Sequence, residues 1–156
     1  AIEAAIQLYP KIGIKEIERV EIKTHESALR IIDKKGPLKN PADRDHCLQY
    51  MVAVALLKGS LHVEDYEEPI DPKVDELRNK MVVEEEERFS IDYHDPDKRS
   101  IASSVQIFFK DGSKTEKVEV EYPLGHPRRR KEAIPLLMEK FRTNLAAYYP
   151  PEKIEE

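Results

Sequence analysis

The chain has a single cysteine, Cys47, among 156 residues. That count excludes an internal disulfide and points to a reducing compartment. It also excludes an iron–sulfur cluster ligated by this chain alone, because such clusters use several thiolates. No stretch approaches the about 18 consecutive apolar residues that a membrane-spanning helix requires, so no membrane partner is expected. The phosphate-cradling G-x-x-x-x-G-K-[ST] and G-x-G-x-x-G loops are missing, as are G-x-S-x-G and C-x-x-C. The five histidines, His25, His46, His62, His94 and His126, show no i, i+4 pairing suited to zinc, and no metal is expected. A net charge of -5 provides no field favouring nucleic acid or an anionic membrane.

Hydrophobic residues make up 40% and charged residues 37%, a polar balance in a chain still long enough for one domain with a core. Residues 1–8 read as helix from the first residue, with neither a capping residue nor an initiator Met. They lack the basic start and long apolar centre of a signal peptide. A helix entered without a cap predicts a chain cut from within a larger protein, any targeting segment being lost with the cut.

The organising stretch is residues 40–59. Asn40 suits an N-cap, because its side chain can accept from a first-turn N–H. Pro41 suits the first helical position, where a missing N–H costs nothing. Gly59 suits the exit, since it accepts positive φ. Leu48, Met51, Val52, Ala55 and Leu56 recur at helical spacing and predict one apolar stripe. At about 100° per residue, His46 and Tyr50 fall opposite that stripe and one turn apart. The expectation is one helix whose back carries Asp43, His46 and Tyr50 as the wall of a polar pocket. The same pattern also fits an ordinary helix with a solvated back.

Before this stretch, 1–9 predict a helix ended by Pro10 and Gly13, 16–24 a strand burying Val20, Ile22 and Thr24, and 25–34 a helix broken by Gly36-Pro37. After it come a loop over 60–70 and a helix over 71–81, with Asp71 as cap and Val74 and Leu77 inward. Residues 82–89 predict a charged edge strand rather than a cation site, and 90–100 a polar loop. Residues 104–122 predict a hairpin closed at Asp111-Gly112, with both turn residues at positive φ. A last helix over 133–148 places Ile134, Leu137, Met138, Phe141 and Leu145 on one side. Mixed helices and antiparallel strands give the expected class: α+β, an antiparallel sheet with packed helices.

Three polar clusters carry possible chemistry. His25-Glu26 stands at a strand-to-helix junction and reads as a base or simply as a helix start. Arg44, Asp45, His46 and Tyr50 combine an imidazole, which titrates near neutrality, with a phenol. The alternative there is an exposed histidine and a tyrosine that covers apolar surface. Gly125-His126-Pro127-Arg128-Arg129-Arg130 sets arginine forks, suited to carboxylates or phosphates, on a tight loop. Three arginines in a row also fit a nucleic-acid patch, but no aromatics interleave and the surrounding chain is acidic, so no nucleic acid is expected. The arginines equally serve to balance the Glu-rich strands. Together the clusters suggest a pocket for a small polyanion.

The runs Gly36-Pro37-Leu38, N-P-A-D-R-D-H-C-L-Q-Y-M-V-A-V-A-L at 40–56, K-R-S-I-A at 98–102 and V-E-Y-P-L-G-H-P-R-R-R at 120–130 resemble the MmgE/PrpD family. The long central run is specific to its methylcitrate-dehydrating branch. A cis-aconitate-decarboxylating branch is similar mainly at His46, Tyr50, Gly125, His126 and Arg128. The resemblance covers nearly all of residues 1–148. It implies an α+β lid over 1–130, then a helix and tail over 131–156 that lead back toward a large helical domain not contained in this chain. It implies a hydro-lyase that dehydrates 2-methylcitrate to 2-methyl-cis-aconitate in propionate breakdown, without an iron–sulfur cluster or other cofactor. The implied catalytic groups are His46 and Tyr50, and the implied carboxylate contacts are Arg44, His126, Arg128 and Arg129. The partners would be a tricarboxylate, the helical domain of the same protein and further copies of the chain. The setting would be intracellular, the cytoplasm of a bacterium or the mitochondrial matrix of a fungus. The isolated chain is expected to be inactive, because a segment with active-site Lys and His precedes Ala1 in the family. A non-enzymatic α+β interaction module is the alternative.

Overall fold

The computed structural model describes residues 1–12, 16–67 and 69–154. Gly13, the expected stop of the first helix, lies outside the described residues. The chain divides into two compact units, Ala1–Glu121 and Tyr122–Glu156.

The first unit is built on a four-stranded sheet of order β2-β1-β3-β4: β1 is Ile17–Thr24, β2 Met81–Glu85, β3 Ser103–Phe109 and β4 Val118–Val120. The α+β class holds, but the sheet is mixed. β1 pairs antiparallel with β3, and β3 with β4, whereas β1 and β2 run parallel, with Val20 opposite Met81 and Thr24 opposite Glu85. A parallel pair needs a long crossover. The helical segment between β1 and β2 supplies it, and no local pattern announces such a pairing. The period-2 reading of β1 is right: Val20, Ile22 and Thr24 are buried.

Among the described residues, five α-helices lie before β2: α1 (Ile2–Leu8), α2 (Glu26–Ile32), α3 (Pro41–Arg44), α4 (Leu48–Lys58) and α5 (Pro72–Arg78). His25 caps α2, its Nδ1 accepting from the Ala28 N–H at 3.3 Å. Asp71 caps α5 through the Lys73 N–H, and Val74 and Leu77 face inward. That helix stops at Arg78, earlier than the spacing predicts, because Met81 is taken up by the sheet. β2 occupies only the start of the predicted edge strand; Glu87–His94 form α6, and the expected polar loop begins after it. Phe89 and Asp92 are the buried residues of α6.

The hairpin closes differently from expectation. Only Gly112 has positive φ, at 83°, and Asp111 keeps ordinary geometry while its carboxylate accepts from the Ser113 N–H at 2.8 Å. The Phe109 N–H donates to the Ser113 carbonyl at 2.8 Å, which closes a three-residue loop with glycine in the left-handed position. Phe108 faces Lys114 but Val105 faces Val118, so one strand carries an extra residue.

The core of this unit joins Ala4, Ala5 and Leu8 of α1 to Val20 and Ile22 of β1, Val105 and Ile107 of β3, Leu77 of α5 and nearly the whole circumference of α4. In the second unit a 3-10 turn at Pro127–Arg129 leads into α7 (Arg130–Leu145), and α8 (Pro151–Ile154) follows. On α7, Ile134, Leu137, Met138 and Phe141 are 45–57% exposed. Among the described residues no helix is long and apolar enough to cross a membrane.

Candidate functional site

Residues 40–59 do not form one helix. Asn40 caps α3, its side chain accepting from the Asp43 N–H at 2.9 Å, and Pro41 takes the first position, as the local chemistry dictates. The helix then ends: the Cys47 N–H turns back to the Arg44 carbonyl at 3.2 Å, and α4 begins anew at Leu48. Cys47 is extended, at φ −119° and ψ 107°, so Asp45–Cys47 separate two helical axes. This break overturns the expected pairing of His46 and Tyr50 one turn apart on a single helix.

It also overturns the solvated back. Leu48, Gln49, Tyr50, Val52, Ala53, Val54, Ala55 and Leu56 are all buried. A helix buried round its circumference needs partners on several sides, and α1 and α5 both pack on α4. Gly59 ends α4 in the left-handed conformation, φ 72°, as the sequence predicts.

The two buried candidates converge on one feature. Arg44 is 1% exposed and its Nη1 donates to the Tyr66 carbonyl at 2.6 Å. Tyr50 is also 1% exposed, and its hydroxyl donates to the Asp65 carbonyl at 2.5 Å. Its ring stacks on Tyr66 at 6.2 Å between centroids. A 3-10 turn at Val63–Tyr66 is therefore pinned from beneath by two side chains expected to face a ligand. The Asp65 carboxylate pairs with Lys58 and accepts from the His62 N–H at 2.7 Å. Burial pushes its pKa up, but the Lys58 and His62 bonds outweigh burial and hold it below the ordinary value. Burial, then the charges of Asp45 and Asp65, raise the Tyr66 phenol. The sequence reading treats 60–70 as a plain loop and misses Asp65 and Tyr66. The signal was there: His62 and Asp65 cap one another reciprocally, three residues apart.

His46 stands apart from this packing. Its side chain is 63% exposed, and its Nδ1 meets the Asp45 carboxylate. An acceptor at Nδ1 fixes the proton there and leaves Nε2 as the basic nitrogen.

In the second unit, Tyr122 gathers the remaining candidates. The His126 ring lies 4.7 Å from the Tyr122 ring, and the Arg128 guanidinium sits over that ring at 4.9 Å. Arg129 donates from Nη1 to the Tyr122 carbonyl at 2.9 Å and from Nη2 to Glu132 at 2.7 Å. His126 Nδ1 accepts from the Arg128 N–H at 3.2 Å, so its proton belongs on Nε2. Arg128 is exposed, whereas His126 and Arg129 are half-buried. Gly125, His126, Pro127, Arg130, Ile134 and Leu137 line most of a cavity of about 280 Å³. Sequence reasoning missed Tyr122 as the platform, although it stands three residues before the Gly125 loop in the quoted Y-P-L-G-H-P-R-R-R run.

The family described as MmgE/PrpD C-terminal domain matches residues 1–156. The chain is 54% identical over 160 residues to a protein of Cupriavidus necator named 2-methylcitrate dehydratase, covering 98% of this chain and 33% of the relative. It is 54% identical over 157 residues to the 2-methylcitrate dehydratase of Salmonella typhimurium, covering 96% of this chain and 32% of that protein. A mitochondrial 2-methylcitrate dehydratase of Yarrowia lipolytica is 50% identical over 143 residues, 90% of this chain and 28% of the relative. The chain thus spans about a third of the length of the curated relatives it matches.

Proposed function

Because the chain belongs to the MmgE/PrpD family through its C-terminal domain, we propose that it is the substrate-closing portion of a hydro-lyase. The reaction is dehydration of 2-methylcitrate to 2-methyl-cis-aconitate. The observation that carries this reading is the 54% identity, over 98% of the chain, to a relative named 2-methylcitrate dehydratase.

Elimination of water needs a base for the carbon-bound proton, an acid for the departing hydroxyl and cations for the carboxylates. His46 is the base of this reading: Asp45 holds Nδ1–H and leaves Nε2 to take the proton. Tyr50 is the acid. Its hydroxyl is engaged by the Asp65 carbonyl, so it becomes available when the Val63–Tyr66 turn lifts, and closure and proton delivery become one event. Arg44 positions that turn through the Tyr66 carbonyl. Arg128 supplies a carboxylate fork held flat by Tyr122, His126 an Nε2–H donor, and Arg129 the anchor of the loop that carries both.

The rest of the protein, a helical domain, would contribute the other active-site groups and cover the exposed Ile134, Leu137 and Phe141 side chains, with self-association of the whole. The setting is intracellular, bacterial cytoplasm or fungal mitochondrial matrix, in keeping with the bacterial and mitochondrial relatives. In the full-length protein, His46→Ala and Arg128→Ala should each lower kcat/KM by about 100-fold or more, the usual size for a lost general base or charge clamp. Unchanged kinetics in both would remove these residues from the site.

A further inference from the structure

A second concavity lies wholly within the first unit. Lys34, Lys35 and Gly36 follow α2, Gln49 sits in the first turn of α4, and Arg78 and Asn79 close α5. They line most of a cavity of about 180 Å³.

Arg78 makes this cavity unusual. Its side chain is only 11% exposed. Nη2 donates to the Gly36 carbonyl at 2.9 Å. Nε lies 3.1 Å from an Asp75 carboxylate oxygen, but without hydrogen-bond geometry. Both Nε and Nη1 are buried with no hydrogen-bond partner among the described residues. Buried donors on a charged group are seldom left unpaired, and each such case asks for an explanation.

Net charge is not that explanation. Lys34 pairs with Asp43, Asp33 accepts from Gln49, and Lys35 lies a loose 3.8 Å from Asp33. Each cation already has a carboxylate neighbour. What remains unused is directional: the Nε and Nη1 donors of one guanidinium, the amide of Asn79, and the Lys35 ammonium, whose side chain is 85% exposed at the mouth. A guanidinium fork with free donors matches the two oxygens of a carboxylate or phosphate.

We propose that residues 34–36, 49, 78 and 79 form an oxyanion site that takes the carboxylate or phosphate group of a small molecule. A modest rotation of Arg78 turns its unpaired donors onto the oxyanion, and Lys35 folds over the mouth. None of these side chains is used in the dehydration reading, so the site stands or falls independently of it. Bound ligand would tie the end of α2, the start of α4 and the α5–β2 junction together.

The test is backbone hydrogen exchange, read by mass spectrometry on the full-length protein, against sodium phosphate, sodium malonate and sodium chloride at equal ionic strength. Phosphate or malonate should slow exchange in peptides covering 34–38 and 78–81, while chloride leaves them unchanged. The oxyanion that acts at the lower concentration identifies the ligand group. Lys35→Glu, on an exposed side chain that the fold does not need, should raise the half-saturating concentration by about tenfold, a loss of about 1.4 kcal/mol. Equal protection by chloride, no protection by either oxyanion, or an unshifted midpoint in Lys35→Glu would each overturn the proposal.

Discussion

Replacing Tyr50 by Phe separates two roles that the structure superimposes on one hydroxyl. The ring is fully buried, and Phe keeps its volume, so no cavity term enters. What is lost is the 2.5 Å bond to the Asp65 carbonyl, leaving that acceptor short of a partner beneath the turn. A neutral hydrogen bond contributes about 1 kcal/mol net, and an acceptor stranded in a part-buried place adds to the cost, so about 1–2 kcal/mol is expected. For a chain of this size that lowers Tm by about 2–8 °C, at 2–4 °C per kcal/mol. The loss should be local: hydrogen exchange in residues 62–67 should quicken while β1 and β3 keep their protection. If the hydroxyl is also the acid of the elimination, kcat/KM should fall by about 100-fold or more, far beyond what the stability loss explains at working temperature. A Tm within 1 °C of the parent together with unchanged exchange at 62–67 would refute the pinned turn. An intact kcat/KM would remove Tyr50 from the chemistry.

Gly59→Ala should destabilise by at least about 1–2 kcal/mol, since its φ of 72° disfavours any side chain. The new Cβ would also stand 2.5 Å from the Tyr9 ring, so chemical denaturation should show a lower midpoint with unchanged slope. His25 predicts a pH dependence. Burial, then the neighbouring His94, lower its pKa, and its neutral Nδ1 caps α2. Between the lowered folded value and the ordinary value near 6.5, the unfolded chain binds the extra proton, so stability rises with pH across that window. The loss begins as pH falls through about 6.5 and is complete below the folded value. His25→Asn keeps a cap acceptor without a titrating group, and urea midpoints at pH 5.5 and 7.5 should then converge apart from carboxylate effects.

Local chemistry alone settled much of the fold. Asn40-Pro41, His25 and Asp71 mark helix starts because a short polar side chain or a proline satisfies the first turn without tertiary help. Gly59 marks an exit for the same kind of reason, and the alternation of Val20, Ile22 and Thr24 fixed which face of β1 is buried. The residues of the candidate groups, and the family they resemble, were legible from 40–56 and 120–130.

Tertiary structure decided what local pattern leaves open. Whether β2 runs parallel to β1 depends on a crossover of many residues, which no window of the sequence contains. Helical spacing placed His46 and Tyr50 together, but spacing counts residues and cannot see a chain that leaves the helical conformation at Cys47. Periodicity likewise marks an apolar stripe without limiting burial to it. Neighbours on several sides of α4 bury Gln49 and Tyr50 as well, and this turns Tyr50 and Arg44 inward onto the 63–66 turn while His46 faces out. Burial is a property of what packs against a residue, and that is set by elements far away in the chain.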